Sequence, residues 1–294
     1  GFETIGGLDD VKAVLDDAMA LPARYPKIFA QCPLRLPTGV LLYGAPGCGK
    51  TALAQAAIAN AKLRSITIKG PELFSKYYGE SEATLRRLFK RAQDAAPCAL
   101  FFDEFESLVP RRGSSDGGVS DRMVNQFLTL LDGVDSLVGV YVICATTRPD
   151  LIDPAILRPG RLDHLLYCPM PDADARVIIL RVACRDETFA ASVDMKYMES
   201  VARNAVGCTG ADIVAFIDEC SACATRRVIE SFQDATARGE TVSEPTERPV
   251  IERGDVAEAL KSMQPSLSPE SAAFFQNIHE KFHQARSAKT SFKA

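Results

Sequence analysis

The sequence has no long hydrophobic run. None of its apolar segments approaches the roughly 18 residues that a helix needs to cross a bilayer, which argues against a membrane-spanning protein. It also has no recognisable signal peptide. An excess of positive charge is missing too: the formal net charge is −4, so the composition does not indicate nucleic-acid binding. With 47% hydrophobic and 24% charged residues, the 294-residue chain is typical of a globular protein, and its length predicts about two domains.

The nine cysteines do not form the pattern of a disulfide framework. Their number is odd and they are scattered through apolar segments, which favours a reducing compartment. Cys220 and Cys223 make a C-x-x-C pair inside a predicted helix, with no second pair to complete a metal site. We interpret them as buried small side chains. The chain begins with Gly1 rather than Met, which is compatible with a piece of a longer protein.

The most informative stretch has the spacing G-x-x-x-x-G-K-T, which is typical of a phosphate-binding loop. An apolar run at 40–43 precedes it and an alanine-rich helical segment follows it. In this setting the glycines allow backbone N–H groups and a helix N-terminus to converge on an anion. We expect Lys50 to reach the β- and γ-phosphates and Thr51 to offer its hydroxyl to Mg²⁺. The predicted nucleotide-binding residues here are Gly44, Ala45, Pro46, Gly47, Cys48, Gly49, Lys50 and Thr51.

A second informative stretch runs from Pro97 to Glu104. Its apolar run predicts a buried parallel strand, and it ends in two acidic residues. Ligands of a doubly wound sheet bind at the carboxyl ends of the strands. Together with the phosphate loop, this placement predicts that Asp103 assists Mg²⁺ binding and that Glu104 is the base that orients water.

Strand-like and helix-like segments alternate through residues 1–168, which predicts an α/β fold with a doubly wound parallel sheet of five strands. Residues 169–265 read as helices, with a polar insert at 234–250, and we expect a small helical lid domain there. The remaining residues, 266–294, are predicted to form an amphipathic helix and a short basic tail. The nucleotide is expected between the two domains.

Several segments, taken in order, resemble the AAA clade of the AAA+ P-loop ATPases over nearly all of residues 1–265. The Phe105-Glu106 pair, where most relatives have an aliphatic residue and aspartate, is similar to the ATPases of peroxisome biogenesis, and the chain most resembles the second ATPase domain of a two-ring enzyme. The segments that carry the resemblance are Ile5–Leu8, Gly44–Thr51, Phe101–Glu104, Ala145–Asp150 and Leu157–Asp163.

The resemblance implies roles for further residues. Thr147 falls where the family usually has a sensor asparagine beside the γ-phosphate, although a hydroxyl can still donate one hydrogen bond. Arg158 and Arg161 match arginine fingers that act on the neighbouring subunit's nucleotide, and Tyr77 and Tyr78 match an aromatic pore loop. The residues implied to enclose the adenine are Ile5, Gly6, Ile179, Gly210 and Ala211.

The resemblance also implies a function and partners. The implied function is binding of ATP and its Mg²⁺-dependent hydrolysis to ADP. The implied partner is a sister peroxisomal ATPase in a mixed hexameric ring. The ring would thread an import receptor at the cytosolic face of the peroxisome or glycosome, reached through a membrane anchor protein. Two alternatives remain open: a structural ring subunit with weak hydrolysis, and a generic protein unfoldase of another pathway. A nucleic-acid motor or a kinase is disfavoured by the acidic balance and by the paired arginines.

Overall fold

A computed structural model of the chain describes residues 1–25, 27–28, 39–73, 80–111, 119–132, 139–238 and 248–290. Within these ranges the residues form two compact units. The first comprises residues 1–2, 8–169 and 271–290, and the second comprises 3–7 and 170–270. No helix in the described ranges has both the length and the apolar character needed to cross a membrane.

The first unit is built on a parallel sheet of five strands, as the sequence predicted. Its spatial order is β2-β3-β4-β1-β5, and every neighbouring pair is parallel. Apolar residues fill the three central strands almost completely because both faces of the sheet are covered. The strands are β1 (Gly39–Tyr43), β2 (Arg64–Lys69), β3 (Cys98–Asp103), β4 (Val140–Thr146) and β5 (Leu162–Tyr167).

Helices follow the strands, as a doubly wound fold requires. The N-terminal helical region is interrupted by one π-type segment, Asp16–Ala20, where the side chain of Asn60 donates a hydrogen bond of 2.7 Å to Asp16. The α-helices of the first unit are α1 (Asp9–Leu15), α2 (Leu21–Arg24), α3 (Lys50–Asn60), α4 (Glu80–Asp94), α5 (Phe105–Leu108) and α6 (Val119–Asp132).

Four phenylalanines form the centre of the core on one face of the sheet. Phe127 on α6 contacts Phe89, Phe102 and Phe105, with ring centroids 5.7, 5.3 and 5.2 Å away in edge-to-face arrangements. Such pairs stabilise a core by about 0.5–1.5 kcal/mol each beyond the area they bury. This cluster fixes α5, and therefore the segment that directly follows the acidic end of β3.

The second unit is helical, as the sequence predicted for this region. Its longest helix begins at Gly210 because Thr209 and Asp212 form a reciprocal capping box. Cys220 and Cys223 on this helix are buried free thiols, which agrees with their interpretation as core residues. The helices are α7 (Ala173–Ala183), α8 (Met195–Asn204), α9 (Gly210–Ala237) and α10 (Arg253–Ser262).

The last helix, α11 (Pro269–Thr290), groups with the first unit from Ser271 onward. The sequence predicted a helix here, as a separate C-terminal segment over 266–294. Its packing partners are the ends of β1 and β5: Phe282 lies 5.2 Å from Tyr43, and His279 lies 5.3 Å from Tyr167, between ring centroids. The C-terminal helix therefore packs against the carboxyl ends of β1 and β5, where the phosphate loop begins.

Candidate active site

The phosphate loop connects β1 to α3, as its sequence pattern predicted. Gly47 and Gly49 have φ values of 77° and 80°, a left-handed conformation that favours glycine. Gly44 is required for a different reason: a Cβ at that position would lie 2.2 Å from the carbonyl oxygen of Cys168. The loop thus has glycine where the backbone turns and where it approaches the end of β5.

Lys50, the first residue of α3, is buried although it is charged. Its ammonium group donates hydrogen bonds to the carbonyl oxygens of Gly44 and Ala45, at 3.0 and 2.8 Å. Burial lowers the pKa of Lys50, and nearby groups, including the carboxylates of Glu106 and Asp103, partly oppose that shift. The cation is therefore held inside the loop, in the place where phosphate oxygens would meet it.

Thr51 and Asp103 come together although they are 52 residues apart in the sequence. The hydroxyl of Thr51 donates a hydrogen bond of 2.8 Å to Oδ2 of Asp103. Parallel pairing puts the ends of β1, β4 and β3 side by side at one edge of the sheet, which explains this meeting. The two side chains that the sequence assigned to Mg²⁺ therefore share one location.

This pair fits a magnesium ion bound together with nucleotide phosphates. Mg²⁺ prefers oxygen ligands and is usually held by one or two carboxylates plus substrate phosphates. In the described part of the chain, no three His, Cys, Asp or Glu side chains converge as a metal site. A hydroxyl and a carboxylate beside a phosphate loop are what such an ion needs from the protein.

Glu104 has an unusual backbone conformation for a glutamate. Its φ and ψ are 51° and 46°, in the left-handed region. Its carbonyl oxygen accepts hydrogen bonds from the hydroxyl and the N–H of Ser107, at 2.8 and 3.0 Å, and its N–H donates to Oδ1 of Asp103. Such conformations cost on the order of 1–3 kcal/mol and cluster at active sites. The side chain of Glu104 is exposed just beyond the end of β3.

Thr147 lies just beyond β4, the strand between β1 and β3. Its hydroxyl donates a hydrogen bond of 2.9 Å to Oε1 of Glu106, and its N–H points to the same oxygen at 3.4 Å. Nε2 of His279 lies 3.4 Å from its carbonyl oxygen. The sequence placed Thr147 at the site but gave no role to Glu106 or His279. The unusual Phe105-Glu106 pair was the available sequence signal for a role of Glu106. The helix periodicity around His279 gave no such signal.

The two predicted finger arginines have different surroundings. Arg161 binds both carboxylate oxygens of Asp132, at 2.6 Å each, and the contact raises the pKa of Arg161 and lowers that of Asp132. Arg158 is exposed, and among the described residues its side chain has no ion-pair partner. Of the two guanidinium groups, only that of Arg161 is held by an ion pair among the described residues.

The predicted adenine residues belong to the second unit. A Cβ on Gly6 would lie 2.6 Å from the backbone N and Cα of Ile179, so these two segments are in direct contact. Gly210 and Ala211 form the first turn of α9. The two predicted pore tyrosines, at positions 77 and 78, lie outside the described residues.

Comparisons with known proteins agree with this geometry. Residues 40–170 match the family described as "ATPase family associated with various cellular activities (AAA)". The chain is 54% identical over 217 residues to "Peroxisomal ATPase PEX1" of Homo sapiens, covering 74% of this chain and 17% of the relative. The PEX1 of Dictyostelium discoideum is 51% identical over 216 residues, again covering 74% and 17%.

A second kind of relative covers more of the chain. "Cell division cycle protein 48 homolog" of Archaeoglobus fulgidus is 42% identical over 283 residues, which is 96% of this chain and 38% of that protein. The chain thus spans well under half the length of these curated relatives. The phosphate loop, the acidic end of β3 and, apart from Gly39, the five-stranded parallel sheet lie in the segment that matches the family. Residues 40–170 of this chain therefore form an ATPase domain of the AAA family.

Proposed function

We propose that this chain is the ATP-hydrolysing domain of a ring-forming protein translocase that works in peroxisome biogenesis. The observation that carries the hydrolytic part of the proposal is the hydrogen bond of 2.8 Å from Thr51 to Asp103. The sequence neighbours of these two residues are the buried cation of Lys50 and the exposed carboxylate of Glu104. These groups supply what phosphoryl transfer to water needs: a cradle for the phosphates, ligands for a metal ion and a base.

The proposed roles follow from the position of each side chain. Lys50 binds the β- and γ-phosphates of ATP, and the N–H groups of Gly44–Lys50 surround them. Thr51 and Asp103 would hold Mg²⁺, which on binding neutralises the charge that develops on the phosphates. Glu104 accepts a proton from the attacking water. ADP leaves when the bond between the β- and γ-phosphates breaks.

The adenine is assigned to the second unit's segments. Ile5 and Gly6 run against Ile179, and the start of α9 contributes Gly210 and Ala211. The Thr209–Asp212 capping box holds the first turn of α9 in one conformation. A fixed turn of small residues presents backbone groups to a flat base, which supports this assignment.

The biological setting is proposed from the relatives. Matches of 51–54% identity to proteins named as peroxisomal ATPases favour that pathway over a generic unfoldase. On this proposal the chain acts in the cytosol, in a mixed hexamer with a sister peroxisomal AAA ATPase that is bound to the membrane through an anchor protein. The ring pulls a matrix-protein import receptor through a pore lined by Tyr77 and Tyr78.

One alternative is favoured by a specific observation. Thr147 stands where the family usually has asparagine, and a hydroxyl has one proton to donate where an amide has two. A subunit with weaker water positioning can bind ATP for structural purposes while its neighbours hydrolyse it.

Replacing the base tests the proposal directly. Glu104→Gln keeps the shape of the side chain but cannot accept the water's proton, so hydrolysis is expected to fall by a factor on the order of 10²–10⁴ with ATP binding retained. Lys50→Ala is expected to lose ATP binding itself. Steady-state ATPase assays and nucleotide-binding titrations measure the two effects, with the exposed Glu230→Gln as control. A Glu104→Gln protein that turns over ATP normally would remove Glu104 as the base.

The translocase role has its own test in cells. Tyr77→Ala is expected to block matrix-protein import while ATP binding persists, because a large apolar ring is needed to grip a passing chain. Tyr77→Phe keeps the ring and is expected to support import. Normal import in cells that rely on Tyr77→Ala would show that this side chain is not an essential grip.

A further inference from the structure

The segment after β4 is held by an unusual set of contacts. Thr147 offers three polar groups, and all three are engaged. Its hydroxyl and its N–H both point to Oε1 of Glu106, and its carbonyl oxygen faces Nε2 of His279. A carbonyl only accepts hydrogen bonds, so this contact requires the proton of His279 to be on Nε2.

Glu106 has no other hydrogen-bonding task in the described part of the chain. Its second oxygen, Oε2, is buried and has no partner there. A glutamate that served only the fold would be expected to satisfy both oxygens, since a buried unpaired oxygen costs free energy. The carboxylate is instead aimed at Thr147 alone, from the short helix α5 that the phenylalanine cluster holds in place.

The hydroxyl of Thr147 has a limited capacity for further hydrogen bonds. A threonine hydroxyl has one proton to donate and two lone pairs to accept with. A carboxylate can only accept, so the proton of Thr147 is committed to Glu106 at 2.9 Å. Toward any further partner Oγ1 is an acceptor, and it cannot donate to a phosphate oxygen without leaving Glu106.

The location of Thr147 makes this property relevant to the reaction. β4 lies between β1, which leads into the phosphate loop, and β3, which ends at Asp103. Thr146, the residue before Thr147, pairs in register with Tyr43, the residue before Gly44 of the phosphate loop, so Thr147 follows β4 beside the start of that loop. On the proposed function, a residue at this position would lie beside the γ-phosphate and the attacking water.

We propose that Glu106 is a positioning residue for ATP hydrolysis, which fixes the hydroxyl of Thr147 as a hydrogen-bond acceptor for the attacking water. This inference rests on the proposed function, with Glu104 as the base. One proton of the water goes to Glu104 as the water oxygen bonds to the γ-phosphorus and the bond to ADP breaks. The other proton is held by Thr147, so that a lone pair of the water points at phosphorus.

The test compares two truncations of one pair in the full-length protein in its active assembly. Thr147→Val removes the hydroxyl but keeps the branched shape, and Glu106→Ala removes its partner. Each is expected to lower kcat by roughly 10- to 100-fold, the order that misplacing a reacting group by about an ångström costs. The KM for ATP is expected to stay near the wild-type value, because neither group binds ATP in the ground state.

Conservative and double variants separate positioning from a structural effect. Thr147→Ser keeps the hydroxyl and Glu106→Gln keeps an acceptor oxygen, so both are expected to retain most of the activity. The double variant Glu106→Ala/Thr147→Val is expected to be no slower than Thr147→Val alone, because the two residues act as one unit. Glu230→Ala, on an exposed site of the other unit, controls for loss of a glutamate.

Three results would overturn the inference: wild-type kcat in Glu106→Ala, additive losses in the double variant, or a raised KM with unchanged kcat. A failure of the proposed function looks different, because Glu104→Gln would then hydrolyse ATP normally. Melting temperatures of all variants identify any that fail to fold. If Glu106→Ala fails to fold, the kcat of Thr147→Ser is compared with that of Thr147→Val, and equal values would overturn the inference.

Discussion

At the scale of single residues, the active-site side chains are positioned by contacts that their sequence neighbours cannot supply. Lys50 is held by loop carbonyls, Thr51 by Asp103, and Thr147 by Glu106. Each contact joins residues that follow different strands of the sheet or bends the loop back on itself. The residue types could be assigned from motifs, whereas the direction of each hydrogen bond depends on which strand ends are adjacent.

Gly6 provides a prediction at this scale, because its position has no room for a side chain. A Cβ there would lie 2.6 Å from the backbone of Ile179, and backbone cannot move aside as a flexible side chain can. Gly6→Ala is therefore expected to destabilise the second unit by about 1–3 kcal/mol, the usual cost of overpacking, and to weaken nucleotide binding if the adenine assignment is right. Denaturant unfolding and a nucleotide titration measure the two effects.

Gly254 is the matched control in the same unit. It lies in the first turn of α10, and a Cβ there would meet no other atom within 4 Å. Gly254→Ala is expected to be neutral or to stabilise the protein by about 0.4–1 kcal/mol, because alanine restricts the unfolded chain. Equal losses for both substitutions would show that contact with Ile179 is not what requires glycine at position 6.

At the scale of elements, the C-terminal helix α11 is the part whose place the sequence did not give. Its apolar spacing predicted a helix, but that spacing does not name a partner. In the structure His279 is buried among Tyr43, Tyr167 and Phe275 and faces the carbonyl of Thr147, while Phe274 lies beneath the guanidinium of Arg148. One helix therefore contacts both the end of β1 and the segment that carries Thr147.

The burial of His279 predicts a pH dependence of stability. Desolvation lowers the pKa of His279 below its ordinary value of 6.5; its bond to Thr147 and the charge of Asp150 oppose this, and Lys50 adds to it. The imidazole of His279 binds its proton more tightly in the unfolded chain than in the folded one. The folded state is therefore most stable relative to the unfolded state above about pH 6.5, where the imidazole is neutral in both, and it loses stability as the pH falls below that value. The wild type should therefore lose stability as the pH falls below about 6.5, and a His279→Phe variant should lose less.

Thermal melts across that pH range test the expectation. Phenylalanine keeps an aromatic ring in the cluster but does not titrate, so the comparison isolates the imidazole. His283→Phe, at an exposed site of the same helix, is expected to follow the wild-type profile. Parallel profiles for the wild type and His279→Phe would show that His279 is not the group responsible.

At the scale of the whole molecule, the question is whether the chain completes its active site alone. Arg158 is exposed and has no ion-pair partner among the described residues, while Arg161 is bound to Asp132. An arginine that reaches a neighbour's phosphates requires head-to-tail contacts, which close into a ring. This arrangement favours Arg158 as the group that acts in trans, with Arg161 fixing the loop between them.

Mixing two inactive variants tests action in trans. Lys50→Ala subunits cannot bind ATP but carry Arg158, and Arg158→Ala subunits bind ATP but lack the finger. Each alone is expected to lose most of its activity, since an arginine finger is worth on the order of 10³-fold in rate. Their mixture should regain activity wherever an intact nucleotide site meets an intact Arg158.

The control mixes Arg158→Ala subunits with a Lys50→Ala/Arg158→Ala double variant, which brings no arginine to any site. No activity should return in that mixture. Recovery there, or full activity of a monomer, would contradict action in trans. Asp132→Asn is expected to loosen Arg161 and alter activity less than Arg158→Ala does.

The sequence by itself determined the fold class and the chemistry of the main site. The apolar strands, the glycine loop and the acidic end of β3 depend on local spacing. That spacing is sufficient to place Lys50 and Thr51 at the start of α3, and Asp103 and Glu104 at the end of β3. The family match and the parallel five-stranded sheet confirmed the fold class and the ATPase family.

Only the tertiary structure decided which side chains complete the surroundings of Thr147. Glu106 and Thr147 are 41 residues apart, and His279 is 132 residues beyond Thr147. No periodicity in the chain encodes such a meeting, because it depends on the order of strands in the sheet and on where the last helix finds an apolar surface. The same reason applies to Arg161: its motif does not encode Asp132, whose carboxylate lies 2.6 Å from the guanidinium in the fold.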